Sequence, residues 1–115
     1  MNRRYGQAVE RVTRVAGVRG VLLVDGEAGV PVVSELSEGI NETALAALAA
    51  ALFRRTATAS ETSDFGRLHT LQLEAEAGHV VAADAGDLIM VVVAERDAPL
   101  GLVRLEARRA VETLV

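Results

Sequence analysis

The chain has 115 residues, among them 12 Arg, no Lys, no Cys and 16 Asp plus Glu, for a formal net charge of −4. This length fits one domain over residues 1–115, able to bury roughly 65% of its unfolded surface without staples, and the lack of Cys excludes disulfide frameworks, thiol nucleophiles and Cys-based zinc sites. The acidic balance and a mere three aromatics, Tyr5, Phe53 and Phe65, argue against the basic field and stacking platform of a nucleic-acid binder.

Met1-Asn2-Arg3-Arg4 is not followed by an unbroken apolar stretch, and no segment approaches the ~20 apolar residues that span a bilayer. The expectation is a cytoplasmic protein with no transmembrane segment. Exclusive use of Arg, with abundant Ala and Val, fits a high-GC bacterial genome or simple compositional drift.

Tyr5, Val9, Val12 and Ala16 recur at helical steps with Arg and Gln between them, which predicts an amphipathic helix stopping at Gly17. Gly20 to Val24 and Val30 to Val33 are short apolar runs joined by Asp25-Gly26-Glu27-Ala28-Gly29, the pattern of a hairpin. Asn41 is a natural N-cap for a long Ala/Leu helix ending near Thr56 to Ala59, before the hydroxyl-rich and acidic Ser60 to Asp64. Three strands follow over Leu68 to Ala75, His79 to Ala83 and Leu88 to Ala94. The last does not alternate, so it reads as a central strand covered on both faces. Asp97-Ala98-Pro99 opens a final helix with Val103, Ala107, Ala110 and Leu114 along one face. Turns this short force consecutive strands to pair antiparallel. The expected fold is therefore α+β, a three-layer sandwich in which a five-stranded, largely antiparallel sheet carries helices on both faces, in the order α-β-β-α-β-β-β-α.

Charge is unevenly placed: residues 1–20 sum to +4 and 104–115 to +1, whereas 21–53 sum to −5 and 67–103 to −4. If the terminal helices share one side of the sheet, that side is basic, a field that could orient a charged partner. The blander reading is a solvated helix surface.

Sites for chemistry are scarce. Asp25-Gly26-Glu27 starts like a calcium loop, but Gly29 and Leu36 stand where later ligands are needed. No Lys means no phosphate-binding P-loop. Pairing of the third and fourth strands around Ala77 would set His69 near Asp84 and His79 near Glu74, a potential acid-base pair without a nucleophile, or simply cross-strand polar pairs. No catalytic residue, metal ligand or cofactor is assigned. The informative element is the second helix, where Leu45, Leu48, Ala49 and Leu52 form an apolar stripe and the other side carries Thr43, Ala47, Ala50 and Arg54. With Ala46 and Ala51 also uncharged, the expectation is packing on both sides of this helix.

The run Val18-Arg19-Gly20-Val21-Leu22-Leu23-Val24-Asp25 with Gly29-Val30-Pro31-Val32, and the later Gly86-Asp87-Leu88-Ile89-Met90-Val91-Val92-Val93 and Leu100-Gly101-Leu102-Val103-Arg104, resemble the Roadblock family. That family includes a dynein light chain and bacterial regulators of Ras-like GTPases. The resemblance implies a profilin-like sandwich that dimerises by pairing third strands edge to edge with second helices side by side. It further implies a non-enzymatic scaffold or regulator of a small Ras-like GTPase, with no universal catalytic residue. On this basis the candidate dimer and partner interface is Thr43, Ala46, Ala47, Ala50, Ala51, Arg54, Arg55, Leu68, Thr70 and Leu71. The alternative is a small-molecule-sensing domain with a pocket between sheet and helix, which so few aromatics disfavour.

Overall fold

Eight elements follow one another as α1 (Arg3–Thr13), β1 (Val18–Asp25), β2 (Pro31–Leu36), α2 (Glu42–Thr62), β3 (Thr70–Ala75), β4 (Gly78–Ala85), β5 (Leu88–Ala94) and α3 (Leu100–Glu112). The structure is a computed structural model that describes residues 3–115; Met1 and Asn2, and the reading of the first tetrapeptide that includes them, lie outside the described residues. The strands form one sheet ordered β2-β1-β5-β4-β3, with every neighbouring pair antiparallel. The expected element order and three layers are both present. Central β5 pairs with β1 on one side and β4 on the other, which accounts for its unbroken apolar run.

Alternation along the strands divides the core in two. Val21, Leu23, Val81, Met90 and Val92 face α1 and α3, whose Val9, Val12, Val103 and Ala107 pack on them. Leu22, Val24, Ala82, Ile89 and Val91 face α2 through Ala46, Ala49, Ala50 and Phe53. The terminal helices thus share one side of the sheet and run antiparallel, since Arg4 Nη2 donates to the Thr113 carbonyl at 2.6 Å and Arg11 pairs with Glu106 at 2.9 Å.

Several boundaries differ from expectation for local reasons. α1 ends at Thr13, so Ala16 is exposed, and Ala8 and Val15 complete the buried stripe instead. Gly17, at φ +88°, then turns the chain into β1, and its carbonyl accepts from Glu95 N at 2.8 Å. Asn41 caps α2 as expected, its Oδ1 accepting from Ala44 N at 3.0 Å. The helix nevertheless continues to Thr62, with the hydroxyls of Thr58, Thr62 and Ser63 donating to carbonyls four residues back. Pro99 occupies the N-cap of α3 rather than its first turn. Leu114 lies beyond the end of α3 but packs against the core, where Val111 is the fourth buried helix residue.

Two carboxylates tie this framework together. Asp25 Oδ1 accepts from Glu27 N at 2.9 Å and Ala28 N at 2.8 Å, and those N–H donors hold its pKa below the usual value. The Arg11 hydrogen bond, together with the Arg11 and Arg109 charges, does the same for Glu106 between the terminal helices. A carboxyl whose folded pKa is lowered stabilises the fold above its unfolded pKa and loses that contribution as pH falls through the folded value. Thermal midpoints are therefore expected to drop on acidification below the ordinary carboxylate range, and Asp25→Asn/Glu106→Gln should flatten that dependence relative to wild type.

Candidate interaction surface

In α2 the residues turned toward the sheet are Ala46, Ala49, Ala50 and Phe53, spaced i, i+3, i+4, i+7. Ala46 and Ala50 are 0% exposed. Two of the alanines assigned to the interface, Ala46 and Ala50, thus belong to the core, and of the stripe Leu45, Leu48, Ala49 and Leu52, Ala49 is buried whereas Leu48 is 57% exposed. The cause is volume. Leu22, Val24, Ile89 and Val91 fill the space beneath the helix, so small side chains let the backbone come close, with Leu45 packing at the edge of the cluster and Leu48 left on the outer side.

The other candidates divide between the flanks of this helix. Thr43 and Ala47 are exposed on the flank toward the β1–β2 hairpin, where a Cβ placed on Gly29 would lie 3.6 Å from Ala47 Cα. Arg54 is on that flank too, and its Nη1 donates to the carbonyls of Gly26 at 2.5 Å and Glu27 at 3.1 Å. It braces the hairpin loop, whereas Arg55, one position on, is exposed on the outer face of the helix. Ala51 is half-buried.

α2 packs mainly over β1, β2 and β5, leaving the β3–β4 part of the same sheet face less covered. Leu68, Leu71 and Val80 are half-buried there, and strand alternation puts exposed Leu73 beside Leu71. Thr70 points to the opposite side of β3, as does Gln72, which accepts from Arg104 of α3 at 3.1 Å. β3 is an edge strand paired only to β4 within the sheet. The structure therefore gathers Leu68, Leu71 and Val80 on the α2 side of the sheet, with exposed Leu73 on the same face of the β3 edge strand and exposed Leu48 on the outer side of α2. Leu48, Leu73 and Val80 were missed from sequence; the spacing of Phe53 with Ala46, Ala49 and Ala50 was the signal for the true inner face.

Acid-base chemistry has no constellation here. Glu74 and His79 are cross-strand partners as the hairpin register predicts, yet His79 is buried, with Nε2 3.2 Å from the Arg96 carbonyl and Nδ1 without a partner. Asp84 pairs with Arg67 at 2.6 Å, and its contact with His69 is a backbone one, Asp84 N donating to the His69 carbonyl. A cleft of about 590 Å³ opens between the hairpin loop, the β4–β5 turn and α2, lined among others by Asp25, Glu27, Arg54, Phe53 and Asp87. Its Asp25 and Arg54 are already engaged by loop backbone. Among the described residues no group of three or more His, Cys, Asp or Glu could hold a metal ion.

The chain is thus a three-layer α+β sandwich whose sheet has two edge strands, β2 and β3, the latter beside an exposed apolar face. The chain belongs to the Roadblock/LC7 domain family, whose model matches residues 5–94. An uncharacterized protein of Methanocaldococcus jannaschii, MJ1340, is 28% identical over 103 residues, 90% of either chain. Among solved structures, MglB of Myxococcus xanthus aligns with a TM-score of 0.86 at 24% identity, covering 97% of this chain and 92% of its own. An MglB described in a tetrameric arrangement aligns at 0.83 and 25% identity, covering 99% and 89%. Among the described residues no helix is long and apolar enough to cross a membrane.

Proposed function

We propose that this chain is a cytoplasmic, non-enzymatic regulator or adaptor of a small Ras-like GTPase, built as one domain over residues 1–115 and acting as a homodimer. The observation that carries the dimer is the open β3 edge beside Leu71, Leu73 and Val80, with exposed Leu48 on the outer side of α2. Pairing two β3 edges would remove an exposed strand edge from each copy and bring the outer faces of two α2 helices together. The GTPase reading rests on membership of the Roadblock/LC7 family, with the exposed Arg55 at the outer end of the α2 platform as its polar contact. Arg54 leaves that role for bracing the hairpin loop. Small-molecule sensing is the weaker reading, because the cleft beside Arg54 is rimmed by groups that hold the loop.

The test titrates the full chain with Ras-like GTPases of its source genome, each loaded with GDP or a GTP analogue. At least one is expected to bind, preferring one nucleotide state, and Arg55→Ala is expected to weaken that complex by about fivefold or more. If no GTPase binds in either state, the reading fails; if binding is unchanged by Arg55→Ala, the Arg55 assignment fails alone.

A further inference from the structure

The side of the sheet opposite α2 carries the chain's positive charge. α1 with Arg14, and α3, together hold seven Arg (Arg3, Arg4, Arg11, Arg14, Arg104, Arg108, Arg109) against three Glu (Glu10, Glu106, Glu112). Glu35 and Glu74 reach the same side from the two edge strands, and the balance stays at +2 with them included. α2 is neutral by the same count, and the remaining strands and loops hold three Arg against nine Asp and Glu. Arg11 and Arg109 share Glu106, and Arg14 pairs with Glu10. Arg104 donates to the neutral Gln72 amide, which leaves its charge uncompensated, and Arg3 and Arg108 are exposed.

Leu102 and Leu105 stand on the outer crest of α3, 45% and 44% exposed, while the buried face of that helix is Val103, Ala107, Ala110 and Val111. The fold makes no use of these two leucines in its core. Arg109 continues their row one turn further along. The arginines are spread rather than gathered around a groove: Arg3 to Arg11 alone covers about 12 Å along the α1 axis at helical rise. Basic side chains distributed over two antiparallel helices, with apolar tips between them, match an extended anionic plane with an apolar layer beneath it.

We propose that the α1/α3 layer docks on an anionic lipid surface, the arginines meeting headgroup phosphates and carboxylates while Leu102 and Leu105 enter the interfacial region. The site lies across the sheet from the α2 platform, so both surfaces are usable at once. It requires neither the dimer nor the GTPase reading. Two β3 edges joined in one sheet would place both basic layers on the same side and double the contact.

The test is sedimentation of the full chain with phosphatidylcholine vesicles, with and without phosphatidylserine, at low and high salt. Wild type is expected to bind only the phosphatidylserine vesicles and to be released by salt. Arg3→Glu/Arg108→Glu should lower the partition coefficient by about tenfold or more, and Leu102→Gln/Leu105→Gln should lower it at unchanged salt dependence. Both variants alter exposed side chains, and circular dichroism melts establish that they fold. No binding to phosphatidylserine vesicles at low salt overturns the proposal, as does equal binding to both vesicle types or indifference to charge reversal. Capture by soluble polyglutamate as strong as by vesicles, with the leucine variant unaffected, would assign the face to an acidic protein and also overturn it.

Discussion

Leu48→Arg is expected to give a folded monomer under conditions where the wild type sediments at twice its 12.1 kDa chain mass. Leu48 is 57% exposed in the single chain, so the substitution leaves the core and the cap of α2 untouched. When two apolar faces meet, however, the guanidinium would be taken out of water without a partner, at a cost of several kcal/mol. That corresponds to at least about a 100-fold weaker association. Leu73→Arg, on the β3 part of the same surface, is expected to behave alike. Ala47→Arg, on the hairpin flank, should leave the dimer intact. Light scattering after size exclusion distinguishes these results. A Leu48→Arg protein that dimerises like wild type would remove this face from the interface, and a monomeric wild type would remove the dimer itself.

Ala50→Asp, two positions along the same helix, is expected instead to unfold the chain. Ala50 is fully buried against a sheet face of Leu22, Val24, Ile89 and Val91. A carboxylate there gains no counter-ion, because Arg54, one turn on, is engaged with the Gly26 and Glu27 carbonyls. Burying an unpaired charge falls among the substitutions that cost more than about 4 kcal/mol, comparable with the whole stability of a domain of this size at about 5–15 kcal/mol. Ala44→Asp is the matched control: Ala44 is exposed in the first turn of α2, where a negative charge favours the helix dipole. Thermal melts followed by circular dichroism should show a native-like control and little or no cooperative transition for Ala50→Asp. A melt within a few degrees of wild type would contradict the inward placement of this face.

The two substitutions sit on opposite sides of one helix for which the sequence led only to the expectation of packing on both sides. A helix of leucines and alanines has apolar character at almost every azimuth, so the period of its pattern marks it as helical without choosing the side that faces inward. Arg54 illustrates a second kind of ambiguity. Its place near a helix end is consistent with a partner contact, but a loop closed from 27 and 28 residues away takes up its donors.

What the amino-acid order determined by itself was local and periodic. Asn41 as a cap, the Leu88 to Ala94 run as a doubly covered strand, and turns too short for anything but antiparallel pairing lead to the observed order of elements and to helices on both sides of the sheet. The pairing of Glu74 with His79 followed from the hairpin register as well. Only the tertiary structure decided which side of α2 is buried, because apolar residues occupy nearly every azimuth of the helix, whereas close packing against Leu22, Val24, Ile89 and Val91 accepts the side of Ala46, Ala49 and Ala50. It also decided that β3 is an edge beside exposed Leu73, and that His79 is buried with its Nε2 against the Arg96 carbonyl. Those outcomes depend on which distant segments share a surface, and such volume matching across the sheet leaves no period in the chain.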